Sequence, residues 1–128
     1  MKGLKELVTV ISLFLPLFAN AGECKRLNSD KSKLNALIKQ IEADKTLDPK
    51  VAQLLTGNQK VWLEYANSQL KLMYPDDDLQ LEYGTVYPEC ACSELVRLYE
   101  IRIKELSRWT HPEPEGEVCT GSLPTGSR

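Results

Sequence analysis

The chain has 128 residues, with 16 Lys and Arg against 18 Asp and Glu, a formal net charge of −2 and four cysteines. This balance lacks the concentrated basic face that nucleic acid demands, so nucleic acid is excluded as a partner, and a mildly acidic surface leans towards a basic one. The length accommodates one small domain with a limited core, where covalent staples add usefully to stability.

The N-terminus reads as a leader. Lys2 and Lys5 give a basic start, Leu7 to Phe18 is almost wholly apolar, and Ala19, Asn20 and Ala21 form an A-x-A cleavage site. This is the pattern of a bacterial secretory signal peptide. The apolar run falls short of the roughly 20 residues that a bilayer span needs, and Pro16 interrupts it. The reading predicts a signal peptide over 1–21, a periplasmic or secreted protein from Gly22 onward, and no stable membrane span after cleavage. A lipoprotein signal at Cys24 is disfavoured because charged Glu23 stands where a small residue is needed.

Export into an oxidising compartment gives Cys24, Cys90, Cys92 and Cys119 a structural reading as two disulfides. Their spacing matches no usual zinc knuckle.

Three helices follow in chain order. Leu34, Leu37, Ile38 and Ile41 recur on one face, which predicts a helix from about 29 to 44 capped by Asn28, Ser29 or Asp30. Asp48 and Pro49 then start a long helix, as an N-cap and a first-turn proline. Val51, Leu54, Leu55, Val61, Trp62, Tyr65, Leu72 and Met73 form its apolar stripe up to about Tyr74, with Gly57 as a weak point. Pro75 and the run Asp76, Asp77, Asp78 stop it. Residues 75 to 88 read as a long loop with a short helical turn near Leu79 to Glu82, and long ordered loops often carry binding. The third helix starts near Pro88 or Glu89, presents Cys92, Leu95, Val96, Tyr99, Ile103 and Leu106, and ends near Trp109. From Thr110 the chain is rich in proline, glutamate and glycine and reads as an irregular tail partly tied by Cys119.

The expected fold is all-α: a three-helix up-down-up bundle, 22–109, with the tail 110–128. The first and third helices then start at the same end, so Cys24 can reach Cys90 or Cys92. The stretch from Trp109 to Cys119 covers about 33 Å when extended. The third helix is about 27 Å long. The tail can therefore return Cys119 to the remaining cysteine. Pairing 24 with 92 and 90 with 119 is preferred, and the exchange of partners stays open; a direct Cys90–Cys92 bridge would be strained.

Two motifs carry a family resemblance. Gln59-Lys60-Val61-Trp62-Leu63-Glu64-Tyr65 resembles the Q-x-x-W-x-x-Y signature of the LprI-like lysozyme-inhibitor N-terminal domain family. Gly84-Thr85-Val86-Tyr87-Pro88 resembles the glycine-led segment that this family places before its last helix, and Arg102 to Leu106 its Arg-x-x-x-Leu ending. The resemblance spans about 29 to 107 and implies a small secreted or periplasmic helical protein, one line of the family being associated with lysozyme inhibition. The family continues its Trp-Tyr signature with Arg, an acidic residue and a cysteine. Here Ala66, Asn67 and Gln69 or Leu70 stand there, while Cys119 is an addition. Gln59, Trp62, Tyr65, Gly84, Pro88, Arg102 and Leu106 read as framework: Trp62 and Tyr65 as core, Arg102 as an ion-pairing or carbonyl-capping group, Gly84 as a turn.

Chemistry is thinly supplied. Asp76, Asp77 and Asp78 with Glu82 are the one dense charge cluster. A calcium loop would need a central glycine at its sixth place, and none follows. The single histidine, His111, lies in the tail, no phosphate-binding glycine loop is present, and no cofactor or metal is implied. These features point to a binding protein and not to an enzyme. If the partner is lysozyme, the loop from Asp76 to Tyr87 is the expected contact. Asp76, Asp77, Asp78 and Glu82 would meet a basic rim, with Tyr83 and Tyr87 as anchors. The competing reading is a structural or assembly-type envelope protein that binds another envelope protein through a helical groove.

Overall fold

Leu27, Leu34 and Ile41 recur every seven residues, a spacing that returns each to one face of a helix. In the computed structural model, which describes residues 22–126, they form the buried face of α1 (Glu23–Glu42). The expected leader, 1–21, lies outside the described residues. Helix α1 begins earlier than its cap residues suggested. Gly22, at φ 109°, turns the chain directly into it, and Asn28, Ser29 and Asp30 lie inside the helix. The physical reason is tertiary. Glu23 donates its free backbone N–H to the Glu89 carboxylate at 3.1 Å, and Cys24 is bonded to Cys92. These contacts hold a first turn that no local cap predicts. Asp30 bears the cost of this extension: it is buried, 3.9 Å from the Lys33 ammonium, and its Oδ2 meets no hydrogen-bond donor among the described residues.

Helix α2 (Pro49–Met73) matches the sequence reading closely. Asp48 accepts from the Lys50 N–H at 2.8 Å, and Pro49 opens the first turn. The helix runs unbroken through Gly57, where a Cβ would meet nothing within 4 Å. A fourth helix joins the three expected. Helix α3 (Leu79–Tyr83) is a single capped turn inside the loop. It is followed by α4 (Tyr87–Ser107), with Pro88 in its first turn. The described residues thus hold four helices and no strand beyond one isolated bridge.

The core lies along the contact between α1 and α4. Their starts are fastened by Cys24–Cys92, with Cα atoms 4.9 Å apart, and Arg26 pairs with Glu100 further along α4. Leu27, Leu34 and Ile41 meet Val96, Leu98, Tyr99 and Leu106 in one cluster, to which α2 adds Leu55, Trp62 and Ala66. Trp62 meets Tyr99, Asn58 meets Arg102, and Tyr74 meets Tyr87, so residue numbers rise along α2 as they fall along α4. Much of the expected α2 stripe is not core. Leu54, Val61, Tyr65, Leu72 and Met73 are exposed, because α2 packs chiefly on α4 and only a narrow face of it is covered.

The tail does not return along α4. Glu113 donates to the Pro124 carbonyl at 2.8 Å, and Gly126 donates to the Glu113 carbonyl at 2.9 Å. This closed loop sits by Trp109 and the end of α1, with Leu123 and Pro124 near Ile41 and Leu47. Cys90 is at the opposite end, beside Met73, Tyr74 and Val86. The expected second bridge is therefore absent: Cys90 and Cys119 carry free thiols, because the length of α4 separates them. The exchanged pairing, through Cys24 and Cys90, is likewise not formed.

The Cys24–Cys92 bridge joins residues 68 apart in sequence. Replacing both by serine is expected to cost about 4 kcal/mol through the greater entropy of the unfolded chain. Urea unfolding of the double variant checks this, and an unchanged midpoint would assign the seam's stability to packing alone.

Candidate functional site

The long loop is a built structure. Asp78 accepts from the Leu81 N–H at 3.0 Å and so caps α3. Gly84, at φ 74°, ends that helix in a conformation that side chains other than glycine resist, and the Tyr87 N–H then closes onto the Gly84 carbonyl at 3.2 Å. Three tyrosines from three elements meet beneath the turn. The Tyr74 ring stands edge-on to Tyr83 at 5.0 Å and to Tyr87 at 5.1 Å. Such edge-to-face pairs add to what burial alone contributes. The Tyr83 hydroxyl donates to the Asp76 carboxylate.

The acidic residues thus divide by role. Asp76 and Asp78 are engaged in holding the loop together. Asp77 and Glu82 lie exposed on its outer side. Tyr83 and Tyr87, expected as anchors for a partner, are half-buried in the ring cluster. The apolar groups that the loop does present are Leu81, 78% exposed, and Val86, 58% exposed. Neither stands out in the sequence. Only Gly84, which ends α3 and turns the chain towards Val86, hints at them.

A second constellation joins the motif residues. Arg102 is buried on α4, donating from Nε to Gln59 Oε1 at 3.0 Å and from a terminal nitrogen to Asn58 Oδ1 at 2.6 Å. Its guanidinium lies 5.8 Å from the Trp62 ring centre, and Glu105 is 3.5 Å away. Trp62 stands edge-on to Tyr99 at 4.9 Å. Burial lowers the Arg102 pKa from its ordinary range, and the pairing with Glu105 partly opposes that. Gln59, Trp62 and Arg102 thus meet in one brace between α2 and α4. Tyr65 falls outside it and is about half exposed, whereas Leu106 is buried. Tyr99 lies on the apolar face expected of the last helix, whereas Asn58 is a member that sequence reasoning missed, because it stands in the polar run Asn58-Gln59-Lys60 and carries no signal of its partner.

The two constellations hold, orient and present side chains. His111 folds onto the end of α4, its Nδ1 3.0 Å from the Ser107 carbonyl and 3.1 Å from the Thr110 hydroxyl. Among the described residues no group of three or more His, Cys, Asp or Glu side chains gathers as a metal site requires. No described helix is long and apolar enough to cross a membrane. A shallow, mostly apolar groove of about 590 Å³ lies between the first half of α2 and the end of α4, with Leu54, Val61, Leu106 and Trp109 on its walls.

These features define a small disulfide-stapled helical protein with a braced, acidic surface loop. The family model described as Lysozyme inhibitor LprI matches residues 20–106, most of the chain. The chain belongs to the LprI lysozyme inhibitor family. No curated protein and no solved structure matches it.

Two expectations test this geometry. Arg102→Ala should cost about 3 kcal/mol, since it strips a buried charge-assisted network and leaves Asn58 and Gln59 short of a donor. Arg102→Lys should recover only part of this, because an ammonium cannot reproduce the guanidinium fork. Thermal and urea unfolding provide the measure. The second concerns Tyr83, whose pKa is raised by its hydrogen bond to Asp76 and then by burial. A phenol held above its unfolded value favours the folded state below pH about 10, and that contribution is lost as the pH rises through the folded value. Asp76→Asn should therefore bring one tyrosine titration down in the ultraviolet phenolate curve. A curve that overlays the parent's would show that the pair does not form.

Proposed function

We propose that this protein is an extracytoplasmic binding protein, not an enzyme, and that it inhibits lysozyme by presenting the loop from Asp76 to Tyr87 to the enzyme's cleft. The observation that carries this reading is family membership over residues 20–106. The internal contacts of the loop support it, the Asp78 cap and the tyrosine cluster among them, since a preorganised loop loses little entropy on docking.

The physical division of labour comes from the side chains. Lysozymes are usually basic, and their cleft holds two catalytic carboxylates. Asp77 and Glu82 steer the complex and face the basic rim, which raises the association rate more than the final affinity. They do not enter the cleft, where like charge would oppose them. Leu81 and Val86 supply the apolar contact, and Asp76, Asp78, Tyr83 and Tyr87 keep the loop in shape. A structural or assembly role in the cell envelope is the alternative, and it would use a helical face and leave the loop unused.

The test is titration of the purified protein into a lysozyme turnover assay, across lysozyme classes. Inhibition at micromolar concentration is expected. Asp77→Lys with Glu82→Lys should slow association about tenfold or more at low salt, with the difference shrinking as salt rises. Leu81→Asp should weaken inhibition at all salt concentrations. No inhibition of any lysozyme class would sink the reading. Inhibition indifferent to all three substitutions would move the contact away from the loop.

A further inference from the structure

We propose that two copies of this chain associate through α2, packed antiparallel along Leu54, Val61, Tyr65 and Leu72. These four side chains are 62%, 62%, 49% and 76% exposed. Together with Asn58 and Ser68 they step along the helix by alternating fours and threes, the repeat of a helix–helix seam. The buried residues Leu55 and Trp62 lie one position further on, about 100° around the helix. The seam is therefore a second apolar face, which borders the core only at its first half, along the groove shared with Leu106 and Trp109. It runs about 27 Å at roughly 1.5 Å per residue.

Register and charge select the occupant. When Val61 of one copy meets Tyr65 of the other in antiparallel packing, Leu54 meets Leu72, and Asn58 meets Ser68. Apolar positions then face apolar ones, and Ser68 comes opposite the helix position of Asn58, whose side chain stays with Arg102 at the margin of the seam. Lys50 lies one turn before Leu54, and Asp76, Asp77 and Asp78 come after the opposite end of α2. Antiparallel packing sets Lys50 of each copy against the acidic run of the other. Parallel packing would set acid on acid and lysine on lysine. The helix dipoles favour the same choice. Glu64, the one acidic residue of α2, flanks the twofold axis one turn from Lys60 of its own helix, which limits repulsion there. The contact is isologous and closes on itself as a dimer. A single-helix seam is a small interface, so the dimer forms in the micromolar range.

Sedimentation velocity across micromolar concentrations is the first measurement, with a concentration-dependent dimer expected. Val61→Lys should abolish the dimer without altering the circular dichroism spectrum. Lys50→Glu should weaken it several-fold, and adding Asp77→Lys to that variant should restore it. In a background with Cys90→Ser and Cys119→Ser, a mixture of Leu54→Cys and Leu72→Cys chains should form a disulfide-linked heterodimer that neither forms alone. A monomer at several hundred micromolar, a dimer that survives Val61→Lys, or self-linking of the single cysteine variants in preference to the mixture would each overturn the proposal. None of these readouts depends on lysozyme inhibition.

Discussion

The rest of the molecule depends on the seam between α1 and α4. It buries Leu27, Leu34 and Ile41 against Val96, Leu98, Tyr99 and Leu106, and it is fastened at one end by Cys24–Cys92. The two helices are the first and last of the described chain, so their meeting closes most of it into one loop. Closing so long a loop is entropically costly, and the bridge removes much of that cost by restricting the unfolded chain. With the seam formed, α2 and the acidic loop have a surface on which to lie.

The attachment of α2 to that surface is narrow and specific. Three apolar residues, Leu55, Trp62 and Ala66, enter the core, and the Arg102 fork fixes the height and rotation of the helix through Asn58 and Gln59. A buried guanidinium is tolerable because its hydrogen bonds and the Trp62 ring replace water. The same narrowness leaves Leu54, Val61, Tyr65 and Leu72 uncovered. One helix thus serves the core with one face and stays available with another. In the family signature, Gln59 and Trp62 belong to the first face and Tyr65 to the second.

The loop shows how local and tertiary effects combine. Asp78 and Gly84 start and stop α3 by local chemistry, which is why a helical turn near Leu79 is legible from sequence. The tyrosine cluster beneath it is not, because Tyr74, Tyr83 and Tyr87 belong to three elements whose meeting depends on how α2 and α4 pack. That cluster draws Tyr83 and Tyr87 inward and leaves Leu81 and Val86 outside. Composition identifies an acidic loop with aromatic groups. Only the packed structure divides its side chains into those that hold it and those that face solvent.

By itself the sequence determined the helical class, the bounds of α2 and the turn at Gly84, because caps, prolines and apolar periodicity act over a few residues. It also carried the family, through short motifs at fixed spacing. The tertiary structure alone decided three things. It set where α1 begins, since Glu89 and Cys92 support its first turn from far along the chain. It left Cys90 and Cys119 apart, since the tail closes on itself through Glu113 and Gly126 beside Trp109. It chose Leu55 and Trp62 as the members of the α2 stripe that enter the core. Periodicity reports that a face is apolar, whereas burial depends on what comes to lie against it.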